Sequence, residues 1–133
     1  MKAQNAKRTF IVDDDPFWTA MLTQMLNELG YSNIKTFTNG KDCIESLHLN
    51  PGLVFLDYQM EDLDGLEVLK QVKDYFPGIG VIFCTAHEDL KVAVNAMRYG
   101  SFDYLLKENA NKRELVNILE NLAESQLETN KIY

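Results

Sequence analysis

Leu53-Val54-Phe55-Leu56-Asp57 is the stretch around which the chain is arranged, an apolar run that ends directly in a carboxylate. It is entered through Pro51-Gly52 and left through Tyr58-Gln59-Met60 and a polar turn from Glu61 to Gly65. So short and continuous an apolar run reads as a strand buried on both faces, as strands of parallel sheets are. Asp57 then lies where the strand leaves the core. Open α/β sheets keep their binding sites at that carboxyl rim.

Similar runs flank it. Thr9-Phe10-Ile11-Val12 ends at Asp13-Asp14-Asp15-Pro16, Ile34 to Phe37 is a weaker strand with Asn39-Gly40 as its exit turn, Val81-Ile82-Phe83-Cys84 leads into Thr85-Ala86-His87, and Asp103-Tyr104-Leu105-Leu106 meets Lys107. Helical patterns lie between. Asp15 before Pro16 supplies an N-cap and a proline for the first turn, and Phe17, Met21, Leu22, Met25, Leu26 and Leu29 repeat at three and four until Gly30. Cys43, Ile44 and Leu47 mark a short second helix; Leu66, Leu69, Val72, Lys73 and Phe76 mark a third; Leu90 to Arg98 is the fourth, stopped by Gly100. The fifth runs from about Asn111 to the mid-120s, with a polar tail that frays or continues it. Strands separated by helical crossovers are parallel, with right-handed connections. The expected fold is a doubly wound, five-stranded parallel sheet in a three-layer α/β/α sandwich.

Bulk properties narrow the class of function. The 133 residues suit one domain, and 46% hydrophobic residues supply a core without staples. A net charge of −7 argues against direct contact with nucleic acid. Cys43 and Cys84 fit neither a metal spacing nor a disulfide framework and read as small buried hydrophobes. Met1 to Arg8 has no apolar signal core, and no apolar run is long enough to span a membrane, which makes the cytoplasm the expected location.

Every strand but the second thus ends in a functional group: Asp13 and Asp14, Asp57, Thr85, and Lys107. In a parallel sheet these gather on one edge. Three close carboxylates stay ionised only if a cation joins them or their pKa values rise. A hard oxygen donor set without His or Cys selects Mg²⁺ over zinc. An aspartate at such a site serves as a nucleophile toward phosphorus, while a metal, an ammonium and a hydroxyl hold the phosphoryl oxygens. Asp57, on the central strand, is the expected acceptor. Asp14 is expected to bind metal directly and Asp13 through water, with Lys107 pairing with the phosphoryl group and Thr85 donating to it.

These residues carry a family likeness. From Thr9 to about Ala123 the chain resembles the receiver domain of two-component response regulators, with its flavodoxin-like fold. The likeness rests on Asp13-Asp14, on Leu56-Asp57-Tyr58-Gln59-Met60 with Asp64-Gly65-Leu66-Glu67, on Thr85-Ala86, and on Asp103 to Lys107. It implies the sheet order 2-1-3-4-5, Mg²⁺ dependence, and phosphoryl transfer to Asp57 from a sensor histidine kinase or phosphotransfer protein. The domain would then be a phosphoacceptor with slow self-dephosphorylation rather than an enzyme. The likeness also implies that Thr85 and Tyr104 are switch residues, that Gln59 lends the metal its backbone carbonyl, and that the Gln59 and His87 side chains tune the lifetime of the acyl phosphate. The surface of the fourth helix, fifth strand and fifth helix would signal to an output domain or partner, or form a homodimer. Domain limits follow as an extension at 1–8, the receiver at 9–125 and a tail or linker at 126–133.

Two departures bear on geometry. Glu108 stands after Lys107 where relatives usually have a cis-bonded proline, and a cis bond without proline costs roughly 2.5–4 kcal/mol. The expectation is a trans Lys107–Glu108 bond, or a cis one strained and held by its neighbours. Glu61 replaces a common proline after Met60, which predicts a looser loop. A phosphatase of the haloacid-dehalogenase type would want a second carboxylate where Gln59 stands, and a flavin module would want a phosphate-cradling loop where the three aspartates stand. A receiver-like domain that is never phosphorylated fits poorly, since all the key positions are filled.

Overall fold

The computed structural model describes residues 7–132, with side chains described up to Leu127. The chain runs β1 (Thr9–Val12), α1 (Pro16–Glu28), β2 (Ile34–Phe37), α2 (Gly40–Glu45), β3 (Leu53–Asp57), α3 (Gly65–Tyr75), β4 (Gly80–Thr85), α4 (Leu90–Arg98), β5 (Asp103–Leu106) and α5 (Lys112–Ile132). Short 3₁₀ turns at Leu47–Leu49 and Lys107–Asn109 complete it. All strand pairs are parallel, and the sheet order is β2-β1-β3-β4-β5, as the family likeness implied.

Alternation along the strands builds two cores. Phe10, Val12, Val54, Leu56, Val81 and Phe83 face α2, α3 and α4, meeting Cys43, Val68, Leu69, Val72, Val92 and Ala96. Ile11, Phe55, Ile82, Cys84 and Leu105 face the other way, onto Trp18, Leu22 and Leu26 of α1 and onto Leu115, Ile118 and Leu122 of α5. Both cysteines are free and buried. Among the described residues, no helix is long and apolar enough to cross a membrane.

The register fixes the rim. Val12 pairs with Leu56, so Asp13 leaves β1 beside Asp57; Asp57 pairs with Cys84 and Thr85 with Leu106, so Lys107 leaves β5 beside the threonine. Caps close the helices near this edge. The Asp15 carboxylate accepts the N–H groups of Phe17 and Trp18, and Asp64 accepts that of Glu67. Gly30 and Gly100 end their helices at φ of 94° and 104°, conformations that glycine adopts without strain.

Several local expectations need correction. The buried stripe of α1 is Trp18, Leu22 and Leu26, whereas Phe17 is 86% exposed and Met21 is also exposed. Both phases satisfy a spacing of four, and only the sheet decides between them. Asn39 is not simply a strand exit: its side chain accepts the Asp42 N–H and caps α2, which begins at Gly40. Phe76 is the exposed C-cap of α3 rather than part of its buried stripe. The tail, by contrast, follows one of its two expected courses, since α5 continues to Ile132. Residues 1–6 of the expected N-terminal extension lie outside the described residues, and so does Tyr133.

Gly65 opens α3 against the end of β3, its N–H donating to the Tyr58 carbonyl at 2.7 Å. A β-carbon there would overlap the Asp57 carbonyl oxygen and crowd the Tyr58 α-carbon. Gly65→Ala should therefore lower stability by about 1–3 kcal/mol, the usual range for overpacking. Urea unfolding of the two proteins measures the difference, and an unchanged midpoint would contradict the packing described.

Candidate functional site

The rim assembles the residues that the sequence singled out. Carboxylate oxygens of Asp13, Asp14 and Asp57 all lie within 4.8 Å of one another. Asp13 and Asp57 are buried and Asp14 is exposed, so the cluster opens to solvent on one side. Lys107 reaches in from the end of β5, its Nζ 2.7 Å from Asp13 Oδ2 and 3.5 Å from Asp57 Oδ1. Asp13 Oδ1 accepts the Asp15 N–H at 2.9 Å, tying the first carboxylate to the start of α1. The Trp18 ring, one turn along that helix, lies with its centroid 5.6 Å from Lys107 Nζ.

Burial sets the electrostatics. Desolvation, and secondly the charge of Asp13, push the Asp57 carboxyl up to about 6, against the opposing pull of Lys107. Asp13 is also raised, chiefly by burial, although the Lys107 hydrogen bond and the Asp15 N–H favour its ionised form. Burial lowers the Lys107 pKa, but hydrogen bonds and attraction from Asp13 and Asp57 outweigh it, and the ammonium titrates above its ordinary value. One ammonium cannot balance three carboxylates.

That imbalance tests the site for a metal. Apart from Lys107, Asp13 Oδ2 has no donor to satisfy it although it is buried, and Asp57 resists ionisation. Three hard oxygen donors with one open side fit a cation such as Mg²⁺, which keeps waters and binds few protein carboxylates.

The switch candidates lie on the adjacent strands β4 and β5. Thr85 is buried at the end of β4, and its Oγ1 accepts the His87 N–H at 3.4 Å. The half-buried Tyr104 ring stacks on Phe83, centroids 6.2 Å apart, and its hydroxyl donates to the His87 carbonyl at 3.4 Å. The backbone of His87 thus joins Thr85 to Tyr104, while the residue itself is exposed. Gln59 is exposed on the loop after Asp57.

Both departures from the family pattern are accommodated. There is no cis peptide among the described residues, so the Lys107–Glu108 bond is trans and begins a 3₁₀ turn. The loop after Met60 makes hydrogen bonds to another element. Asp62 accepts the N–H groups of Gly40 at 3.1 Å and Lys41 at 2.8 Å, joining the loop to the first turn of α2. Slight desolvation raises the Asp62 carboxyl, but hydrogen bonds from the N–H groups of Lys41, Gly40, Leu63 and Asp62 itself hold it below the usual range. Sequence reasoning passed over Asp62 because its partners lie in another element. Trp18, which stands outside the apolar repeat read for this helix, packs in the core and lies against the ammonium as well.

The chain is thus a parallel α/β domain with carboxylates and an ammonium gathered at one rim of the sheet. A family profile for the response regulator receiver domain matches residues 9–120. The chain belongs to the response regulator receiver family. It is 41% identical over 98 residues to the luminescence regulatory protein LuxO of Vibrio campbellii (strain ATCC BAA-1116), covering 73% of this chain and 21% of that protein. It is 40% identical over 99 residues to the DNA-binding transcriptional regulator NtrC of Escherichia coli (strain K12), covering 74% and 21%. The chain thus spans about a fifth of the length of these relatives. The BeF3-activated receiver domain of DrrB, from Thermotoga maritima, superimposes with a TM-score of 0.80 at 26% identity, over 90% of this chain and 98% of that one. Receiver domains act in two-component signalling, where histidine kinases or phosphotransfer proteins are their partners.

The pKa of Asp57 carries a sign. A carboxyl raised from 3.8 to about 6 in the folded chain stabilises the fold fully below pH 3.8, and that contribution is lost as pH rises through 6. Metal-free protein should lose on the order of 2–3 kcal/mol from this group between pH 4 and pH 7. Asp57→Asn should remove that loss, and saturating Mg²⁺ should offset it. Urea titrations across this range check the sign: stability of the metal-free wild type that tracks the Asn variant at every pH would refute it.

Proposed function

We propose that the domain accepts a phosphoryl group on Asp57 and relays the event to a partner surface. The observation that carries this reading is the buried Asp57 carboxylate, 3.5 Å from an ammonium and within a carboxylate cluster that fits a divalent cation. In the transfer, an Asp57 oxygen forms a bond to phosphorus as the bond from phosphorus to the donor's imidazole nitrogen breaks, and the imidazole takes up a proton. Hydrolysis of the acyl phosphate by water returns the carboxylate and inorganic phosphate, a slow self-dephosphorylation rather than enzymatic turnover. Mg²⁺ would be held by Asp14, Asp57 and the Gln59 carbonyl, with Asp13 acting through water, and when bound it supplies charge neutralisation for the phosphoryl oxygens.

This chain's own groups do the rest. Lys107 pairs with a phosphoryl oxygen, for which it already stands close to Asp57. Thr85 turns its hydroxyl to another oxygen and gives up the His87 N–H. Because Tyr104 is bonded to the carbonyl of the same residue, a shift of His87 reaches the face of α4, β5 and α5. Gln59 and His87, both exposed beside the pocket, flank the path of attacking water and set the adduct's lifetime. The LuxO and NtrC relatives are regulators several times longer than this chain, which supports an output domain or partner as the recipient of the signal. A homodimer through α4, β5 and α5 is the alternative arrangement of that face. The domain works in the cytoplasm, where such kinases present their phosphohistidine.

Incubation with phosphoramidate and Mg²⁺ should add one acid-labile phosphoryl group, located on Asp57 by mass spectrometry and absent from Asp57→Asn. An adduct elsewhere, or none with either phosphoramidate or beryllofluoride, would overturn the assignment. Trp18 is the single tryptophan in the chain and lies against Lys107, so its fluorescence should change on Mg²⁺ addition and change again with beryllofluoride. A flat titration in protein that binds Mg²⁺ calorimetrically would contradict that coupling.

A further inference from the structure

Lys107 sits in a three-sided setting. Asp13 and Asp57 take two sides, and the Trp18 indole takes a third, its ring centroid 5.6 Å from Nζ. The Trp18 residue is only 3% exposed, and the Lys107 side chain is 12% exposed, so little water intervenes. An aromatic face within about 6 Å attracts a cation, and the attraction strengthens when both are desolvated. Trp18 also belongs to the core beneath α1, with Leu22, Leu105 and Leu115. Packing alone would be met by a leucine or methionine of similar reach. Neither brings a negative ring face to an ammonium.

The carboxylates hold Lys107 well only while the pocket has no metal. A divalent cation among Asp13, Asp14 and Asp57 neutralises the charges that attract the ammonium and repels it directly. The indole attraction is left unchanged. The backbone that carries Trp18 is fixed from its own side, since the Trp18 main-chain N–H donates to the Asp15 carboxylate at 3.3 Å and the Asp15 main-chain N–H donates to Asp13, while the indole itself is held by the core beneath α1.

We propose that Trp18 is a positioning residue for Lys107, keeping the ammonium beside Asp57 when the pocket is charged with metal and thereby setting the rate of phosphoryl capture. The inference rests on Asp57 being the phosphoacceptor. Its predicted signature is a dependence on Lys107 that a packing role would lack.

The test is a double-mutant cycle of Trp18→Leu and Lys107→Ala, with Trp18→Phe as a variant that keeps a ring. Folding of each is checked by circular dichroism and urea unfolding. Phosphorylation by phosphoramidate at saturating Mg²⁺ is followed alongside calorimetric Mg²⁺ binding. Trp18→Leu should slow capture by about 2- to 30-fold, the span of a cation–π contact converted to a rate, with Trp18→Phe between it and wild type and Mg²⁺ affinity unchanged. In the Lys107→Ala background Trp18→Leu should have no further effect. A second readout needs no chemistry: the Lys107 ε-CH₂ proton resonances should carry a ring-current shift in Mg²⁺-bound wild type, shrinking in Trp18→Phe and vanishing in Trp18→Leu. An equal slowing in both backgrounds, no slowing at all, or a Lys107 resonance indifferent to the ring would each overturn the proposal. A wild type that takes up no phosphoryl would instead sink the acceptor reading, while the resonance still decides whether Trp18 holds the lysine.

Discussion

Lys107 Nζ stands 2.7 Å from Asp13 and 3.5 Å from Asp57, and this one ammonium has to hold two carboxylates whose own burial discourages ionisation. The sheet allows no relief by movement. Asp13 and Asp57 follow strand residues that are paired with each other, Val12 with Leu56, so the distance between the acids is set by the ladder. Residual repulsion must be resolved by protons or by a bound cation. Such a site is sensitive because the fold keeps it short of positive charge.

In the proposed switch, the same ladder gives an event at Asp57 its route outward. Cys84 pairs with Asp57, and Thr85 is the next residue, so the Thr85 hydroxyl is carried on an inner strand beside the one that bears Asp57. Beyond it the chain leaves the sheet, and residues 86–90 are all exposed. Few packing contacts hold that segment, which makes it inexpensive to move. One link back to β5 is the Tyr104 hydroxyl on the His87 carbonyl. In the proposed switch the rigid part senses and the loosely held part responds. The outer face of α4 then presents Leu90, Val94 and Met97 to solvent, an apolar stripe whose placement depends on that segment.

Much of this was legible in the sequence because strand and function coincide. Short apolar runs ending in Asp, Thr or Lys marked the strands, their carboxyl ends and the chemistry together. Asp13, Asp14, Asp57, Thr85 and Lys107 all lie where such runs stop. The order of the sheet was not legible from periodicity, which says nothing about which strands are neighbours; it came from the family likeness. Phase was ambiguous in α1, where Phe17 and Met21 offer one apolar stripe and Trp18, Leu22 and Leu26 another, and burial chose the second. Asn39 carried a capping signal that was read as a turn. The contact of Trp18 with Lys107 and that of Asp62 with Gly40 left no local signal, because each joins elements far apart in the chain.

Asp62 shows how a departure at one position is absorbed at another. Without a proline after Met60, the backbone between Asp57 and α3 gains freedom in the unfolded chain, and ordering it costs more. The Asp62 carboxylate accepts two N–H groups that would otherwise be unpaired at the start of α2, and the field of that helix end favours its charge. Asp64 caps α3 at the other end, and the Gly65 N–H closes back onto the Tyr58 carbonyl. The loop that carries Gln59 is therefore hydrogen-bonded both to α2 and to the start of α3. After Lys107 the corresponding solution is a trans bond followed by a tight 3₁₀ turn. In both places hydrogen-bonded local structure stands where the family likeness implied proline, and the carboxylates and ammonium keep their place at the rim.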